Sequence, residues 1–320
     1  MSHIWVPRAK IIEPLPFMLA TACGGRFKLT AIRPDGRERP LTGWFSNIVL
    51  DQGLDLAITS GDSPSFLNCC RVGTGNTAPA NAQTNLIAHV AGTSNIITSS
   101  TGTVGTPDFY SWKIATYRFA QGAAAGNLAE VGIGNGTGNA ANLFSRELIR
   151  DGGGSPTTVT VLGDEFLDVS YEHRLYAGPL VDVASTVTIS GVVYDTVARA
   201  AGAPGAAVVP WSMSVMDASV YSGALGAVSG FPGGASSGAS STANLGSYVN
   251  GNFFRDYTAS WGLGNGNVGG CAAMAVSWRA TLGGGNAGAH QISFSPSLPK
   301  DGTKLMTLNV RRTFTRKTVP

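Results

Sequence analysis

Residues 167–175 have the sequence LDVSYEHRL, and this stretch decides the fold class because its two sets of side chains alternate strictly. A period of two is typical of a β-strand with one face toward a core and the other toward solvent. The sequence therefore predicts a half-buried strand here. Its inward face comprises Leu167, Val169, Tyr171, His173 and Leu175, and its solvated face comprises Asp168, Ser170, Glu172 and Arg174.

The same alternation recurs along the chain. Residues 27–33 alternate, a Pro-Asp-Gly turn follows at 34–36, and residues 37–45 lead back, which predicts a β-hairpin. Residues 185–194 repeat the alternation. Residues 305–314 form the last predicted strand, and its inward side chains are Met306, Leu308, Val310 and Phe314.

Composition supports the same fold class. The 320 residues include 43 glycines, and 13% are charged, compared with about 25% in an ordinary soluble domain. Helix-forming Glu and Lys are scarce, whereas Thr, Val, Ser and Asn are abundant. We expect an all-β protein with antiparallel, sandwich-like sheets, long Gly-rich loops and one or two short helices. The best helix candidate is 47–60, with Asn47 as its N-cap.

Composition changes near residue 201, which predicts two domains. Residues 1–200 would form an N-terminal β domain with a basic arm for attachment and assembly. Residues 201–320 would form a Gly-rich β domain that ends in a basic strand. Between 201 and 299 the sequence has 19 glycines and four charged residues. The segment 198–210 is the expected boundary.

Charge is distributed unevenly around a net value of +3. Residues 1–40 carry seven basic and three acidic side chains, and residues 300–320 carry six and one, whereas the segment between them is acidic overall. Basic ends and an acidic body favour contacts between subunits, so we expect a homo-oligomer, a trimer or another cyclic assembly. Nucleic acid is the weaker interpretation, because the basic residues alternate with apolar ones and no RNA-binding aromatic motif accompanies them.

Several function classes have no support in the sequence. No apolar run approaches the roughly 18 residues of a membrane-spanning helix. The cysteines lack metal-clip spacing and are expected to be small buried side chains. The histidines show no ligand spacing, so we predict neither a metal site nor a cofactor. The cysteines are Cys23, Cys69, Cys70 and Cys271, and the histidines are His3, His89, His173 and His290.

Three patterns imitate catalytic motifs. Residues 264–269 spell G-x-G-x-x-G but lack the later acidic residue of a dinucleotide site, so a turn is expected. Residues 234–238 spell G-x-S-x-G without a flanking strand and helix, although a Ser-Asp-His order follows. A carboxylate cluster near residue 165 could serve a glycan hydrolase, but a turn and a solvated strand face explain it more simply. The residues are Ser236, Asp256 and His290 for the second pattern, and Asp164, Glu165 and Asp168 for the third.

Six runs stand out in a fixed order along the chain: GWFSNIVLDQGLD at 43–55, VGTGNTAP at 72–79, EVGIG at 130–134, LFSRELI at 143–149, PTTVTVL at 156–162 and DVSYEHR at 168–174. Together these runs resemble tail-associated structural proteins of tailed bacteriophages, in the tail tip, baseplate or tail fibre. The likeness covers about residues 25–178, with a weaker echo at 294–300.

The resemblance implies a non-enzymatic structural component of the virion tail, assembled in the host cytoplasm with other phage tail proteins and carrying no catalytic residues. Two alternatives remain open: a glycan-cleaving hydrolase on the virion, and a capsid-decorating β module.

Contact with a host surface glycan or protein receptor is also expected, through aromatic side chains of the Gly-rich region. For each of these side chains, a place in the β core is the competing interpretation. The candidates are Tyr248, Phe253, Phe254, Tyr257 and Trp261.

Overall fold

A computed structural model describes residues 10–59, 65–178 apart from 105, 107 and 109, 181–201, 216–238 apart from 229, 244–279 and 286–320. The described part of the chain is all-β, as predicted, with one α-helix, α1 (Asp51–Thr59), and a 3₁₀ turn at Ser65–Leu67. In chain order the strands are β1 (Lys10–Ile32), β2 (Glu38–Pro40), β3 (Phe45–Ser46), β4 (Ile48–Val49), β5 (Cys69–Gly73), β6 (His89–Thr93), β7 (Ile96–Val104), β8 (Tyr110–Phe119), β9 (Gly126–Leu128), β10 (Glu130–Gly134), β11 (Leu143–Leu148), β12 (Val159–Val161), β13 (Phe166–Ala177), β14 (Val183–Ile189), β15 (Val192–Ala201), β16 (Met216–Tyr221), β17 (Ser236–Gly238), β18 (Asn244–Leu245), β19 (Phe254–Trp261), β20 (Cys271–Arg279), β21 (Asn286–Leu298) and β22 (Lys304–Arg316).

Three large sheets organise these strands. The nine-stranded sheet has the order β18-β19-β22-β1-β13-β8-β7, and β2 and β3 also pair with β1. The five-stranded sheet has the order β4-β11-β10-β5-β6, and the six-stranded sheet has the order β14-β15-β21-β20-β16-β17. Strands β9 and β12 form a separate pair. Pairing is antiparallel throughout these sheets except between β1 and β22, which run parallel at the centre of the nine-stranded sheet.

Two hydrophobic cores lie against the nine-stranded sheet. In the first, β1, β8 and β13 pack on the five-stranded sheet and α1, and Phe27, Tyr117 and Phe144 are among its buried side chains. In the second, β19 and β22 pack on the six-stranded sheet, with Trp261 and Met274 among the buried side chains. The opposite face of the nine-stranded sheet, which we call the outer face, carries polar and charged side chains such as those of β13 discussed below.

The predicted hairpin and the predicted last strand are both confirmed. β1 pairs antiparallel with β2 around the turn at 33–37, where Gly36 has a φ of 81°. Strand β22 buries its predicted inward side chains Met306, Leu308, Val310 and Phe314.

The helix prediction was wrong at its start. Ile48 and Val49 form β4, and the helix spans Asp51–Thr59. Asn47 is not its cap, because the Asn47 side chain is buried and its Nδ2 donates to the Tyr171 hydroxyl at 3.3 Å. Ile48 and Val49 of β4 pair with β11 instead of starting the helix.

Residues 185–194 form two strands where one had been expected. The chain reverses at Ser190 and Gly191, which have φ values of 50° and 79°. Two successive left-handed residues match the twist of a tight β-hairpin. Val187 and Ile189 alternate with exposed Thr186 and Thr188 before the turn, but Val192 and Val193 beyond it are both exposed.

The stretch that decided the fold class lies in β13 and is more buried than expected. Its inward side chains are buried as predicted, but Asp168, Glu172 and Arg174 on the other face are buried as well. Ion pairs explain this correction, since Asp168 binds Arg118, and Glu172 lies between Arg26 and Arg174. Long charged side chains of neighbouring strands thus cover one another on the outer face.

The two-domain division at residue 200 stays a prediction. The boundary segment 198–210 lies largely outside the described residues. The nine-stranded sheet takes strands from both sides of that boundary, because β1 and β13 precede it and β19 and β22 follow it. Of the predicted basic arm, residues 1–9 lie outside the description, and the rest begins β1.

Candidate functional site

Two of the five aromatic candidates belong to the core. Tyr257 and Trp261 point from β19 into the second core, and neither is exposed. Trp261 Nε1 donates to the Ser237 carbonyl at 3.4 Å. Burial raises the pKa of Tyr257. The competing interpretation of these two residues, a place in the core, is therefore what the structure shows.

Tyr248 and Phe253 are partly buried and pack against the first core. The Tyr248 hydroxyl donates to Asp55 Oδ1 of α1, and burial together with this hydrogen bond raises the pKa of Tyr248. The Phe253 ring lies under the Arg316 guanidinium at 5.5 Å, and its carbonyl accepts from Phe314 N at 2.8 Å. These contacts fasten the segment before β19 to α1 and β22.

Phe254 alone among the five points to the outer face of the nine-stranded sheet. The Arg311 guanidinium stacks on its ring at 3.8 Å from the centroid. Arg311 also binds Asp256 through two hydrogen bonds, each of 2.8 Å. The hydrogen bond and charge of Arg311 lower the pKa of Asp256, so this carboxylate stays ionised near neutral pH.

An open groove of about 390 Å³ runs beside this stack. Thr258 Oγ1 donates to Asn309 Oδ1 at 2.9 Å on its floor. Hydroxyl, amide, guanidinium and carboxylate groups side by side can bind the hydroxyls of a polar ligand. A carboxylate kept ionised by an adjacent arginine is poorly suited to donate a proton, whereas the polar groups around it can bind a ligand. The groove is lined by Met18, Asp256, Tyr257, Thr258, Asn309, Val310 and Arg311.

The carboxylates near residue 165 hold strands and turns together. Glu165 is buried, and it accepts hydrogen bonds from Arg39 and from Leu162 N. Asp168 binds Arg118 through two hydrogen bonds of 2.7 Å and is not on a solvated face as expected. Asp164 lies in the predicted turn, where its backbone carbonyl accepts a hydrogen bond from Gln121 Nε2. Arginine contacts lower the pKa of Glu165, which suits an ion pair.

The Ser-Asp-His order does not assemble into a triad. Ser236 and His290 lie on β17 and β21 of the six-stranded sheet, and two strands separate them, a spacing of about 14 Å. Asp256 lies in the nine-stranded sheet and binds Arg311. His290 is buried against the Gly178 carbonyl, and burial lowers its pKa to about 4.

The remaining motif-like features are structural. Residues 264–269 form the loop between β19 and β20, where Gly266 and Gly269 have positive φ values, and no helix follows directly. All four cysteines are buried thiols, and burial raises the pKa of Cys23 and of Cys271 to about 12. Within the described ranges, no three His, Cys, Asp or Glu side chains are grouped as metal ligands would be.

Sequence reasoning missed a buried ion pair between Glu130 on β10 and Arg146 on β11. Neither side chain is exposed. Glu130 also accepts from the backbone N–H groups of Gly75, Ile87 and Ala88 at 2.7–3.1 Å. Arg146 donates to Gln83 Oε1 at 2.8 Å and to the Thr77 carbonyl at 3.0 Å. The pair therefore fixes the conformation of the long loop at 74–88.

A second buried arginine fixes a second loop. Arg71 on β5 donates to the carbonyls of Gly138, Ala141 and Asn142 at 2.8–2.9 Å. These carbonyls belong to the connection between β10 and β11. Arg71 and Arg146 thus shape two loops beside the five-stranded sheet. A charged residue inside an otherwise apolar strand, as in EVGIG and LFSRELI, is the sequence signal that could have indicated such a site.

Comparison of the chain with protein-family models, with curated proteins and with solved structures found no match. The helices in the described part of the chain lack the length and the apolar character that a membrane crossing requires.

Proposed function

We propose that the chain is a structural component of a bacteriophage tail, located in the tail tip, the baseplate or a tail fibre. In this proposal it assembles with other virion proteins in the host cytoplasm, and its outer face contributes to host attachment. The proposal rests on the sequence runs that resemble tail proteins and on what those runs do in the fold.

The observation that carries the proposal is that three of these runs meet at one buried network. Glu130 comes from the run at 130–134 and Arg146 from the run at 143–149, and both hold backbone groups of the run at 72–79. A fourth run supplies α1, whose Gly53 lies against the Phe144 carbonyl. The resemblance thus falls on residues that fix loops and packing, which suits a building block of a particle.

The proposed receptor contact is the groove beside Phe254 and Arg311. Stacked aromatic and guanidinium groups with neighbouring hydroxyl and amide side chains match the chemistry of glycan binding. Of the five aromatic candidates, Phe254 is the residue that we propose to retain for this role.

Electron microscopy of particles carrying an epitope-tagged chain tests the structural proposal. We expect label at the tail and mass-spectrometric detection of the chain in purified particles. Label on the head would favour the capsid-decorating alternative, and a chain missing from purified particles would refute a virion role.

Adsorption assays test the receptor proposal separately. Particles with Phe254→Ala or Arg311→Ala should assemble normally and adsorb to the host at least about tenfold more slowly. Arg37→Ala is the matched control, because Arg37 is an exposed arginine in a distant turn. Unchanged adsorption of the two groove variants would remove the receptor role while leaving the structural one intact.

A further inference from the structure

Two long sheet edges in the described chain carry no charged residue and no proline. Strand β7, with the sequence IITSSTGTV, ends the nine-stranded sheet, and strand β14, with the sequence VASTVTI, ends the six-stranded sheet. Among the strands that the structure describes, each pairs on one side only, with β8 and β15 respectively. About half of the backbone N–H and C=O groups of such a strand point away from its sheet and are available to another strand.

The other edges of the three large sheets are short. Strands β4 and β18 have two residues, β17 has three and β6 has five with an irregular register. Short or irregular edges, charges and prolines are the devices by which proteins prevent edge-to-edge association. Strands β7 and β14 have nine and seven residues. The register of β7 is irregular at its start, between Ile96 and Thr98, and apart from that the two strands use none of these devices.

Exposed apolar side chains accompany both edges. Ile96 and Ile97 on β7 are each 38% exposed. Val183 on β14 is 48% exposed, and Val193 on the neighbouring β15, near the turn of the same hairpin, is 59% exposed. Side chains of this kind gain from burial when a new strand is added to the edge, in addition to the backbone hydrogen bonds.

We propose that β7 of one copy pairs with β14 of a second copy, so that the nine-stranded sheet of one subunit continues into the six-stranded sheet of the next. The presence of two uncharged edge strands in the same chain favours a second copy as the partner, because one type of contact then covers both edges of every subunit. Pairing of β7 with β7 would cover one edge and leave β14 open. The inference rests on the assembly part of the proposed function and adds its contact surface.

Such a contact is heterologous, since different surfaces of the two copies meet. Repetition of a heterologous contact gives a closed ring if the rotation between subunits closes, and a helical filament if it does not. The same contact thus predicts that association continues until both edges of every copy are covered.

Charge substitutions on the two edges test the pairing. Thr98 and Ser99 are exposed on β7, and Ser185 and Thr186 are exposed on β14. One variant carries Thr98→Lys with Ser99→Lys, another carries Ser185→Glu with Thr186→Glu, and a third carries all four changes. Neighbouring strand residues point to opposite faces, so opposite charges meet across the contact whichever faces are aligned. Ser155→Lys with Thr158→Lys, in an exposed loop region, is the matched control.

Self-association of the full purified chain is measured by analytical ultracentrifugation, with circular dichroism to verify folding. We expect the wild type and the control to associate, and each variant with one changed edge to associate at least about tenfold more weakly. The variant that carries all four substitutions, called the fourfold variant, should regain association. A fourfold variant that stays dissociated would show that β7 does not meet β14. A monomeric wild type would overturn the proposal and leave these edges for strands of another protein. Neither result depends on where the chain lies in a particle, so failure here is distinct from failure of the tail assignment.

Discussion

Arg146 Nε lies 2.8 Å from Glu130 Oε2, and the two side chains form an ion pair with no exposed surface. Removing one partner of such a pair leaves a buried charge without compensation. Arg146→Met should therefore lower the free energy of unfolding by about 3–5 kcal/mol, measured by urea denaturation.

Arg37→Met provides the contrast for this prediction. Arg37 pairs with Asp35, but both side chains are largely exposed, and exposed pairs contribute at most about 1 kcal/mol. Equal losses in Arg37→Met and Arg146→Met would show that the Glu130 network does not have the structural weight that its burial indicates.

Gly53 of α1 is predicted to be intolerant of a side chain. A Cβ at this position would lie 2.0 Å from the Phe144 carbonyl oxygen. Alanine normally stabilises a helix by about 1 kcal/mol relative to glycine. Here we expect the clash with the Phe144 carbonyl to outweigh that gain. Gly53→Ala should destabilise the protein by about 1–3 kcal/mol in thermal or urea unfolding. Gly152→Ala, with open space around its Cβ position, should change stability by less than about 0.5 kcal/mol.

Stability should fall as the pH drops below 6.5. Burial lowers the pKa of His173 to about 3 and that of His290 to about 4, from an ordinary value of 6.5. Between about pH 4 and pH 6.5 the unfolded chain therefore binds protons that the folded chain does not. Each histidine should remove about 2 kcal/mol from the free energy of unfolding between pH 7 and pH 5.

Urea denaturation at several pH values between 5 and 7 tests this dependence. The variant His173→Gln with His290→Gln should show a flatter profile than the wild type over the same window. An unchanged slope would mean that neither buried imidazole controls the acid sensitivity.

The four cysteines should be unreactive in the folded protein. All are buried, and burial raises the pKa of Cys23, Cys69, Cys70 and Cys271, so the reactive thiolate is scarce. A thiol reagent such as 5,5′-dithiobis(2-nitrobenzoic acid) should modify none of them within minutes under native conditions and all four in urea. Rapid labelling of a native thiol would contradict its described burial.

Local periodicity predicted much of the fold. The alternation at 305–314 identified β22 and its inward side chains, since the period of a strand depends on near neighbours alone. The partner of β22 could not be predicted in this way. Nothing in the local pattern indicates that β22 lies parallel to β1, almost three hundred residues away in sequence.

The candidate site was predicted less well than the fold. Tyr257 and Trp261 were chosen as surface aromatics, but their spacing on β19 places them on the core side of the strand. Charged residues are generally expected at the surface. Glu130 and Arg146 are buried because backbone groups of a loop, distant in sequence, supply their hydrogen-bond partners. Such partners become visible only when the tertiary structure is known.

The parallel pairing of β1 with β22 has a consequence for synthesis on the ribosome. Thr21 lies opposite Phe314, so β1 lacks its central neighbour until residues 304–316 have been synthesised. Closure of so long a stretch of chain makes folding slow and delays it until β22 has been translated. In a polypeptide that ends before β22, one edge of β1 would lack its hydrogen-bonding partner in the nine-stranded sheet. We expect chaperones and proteases to act on such an incomplete sheet.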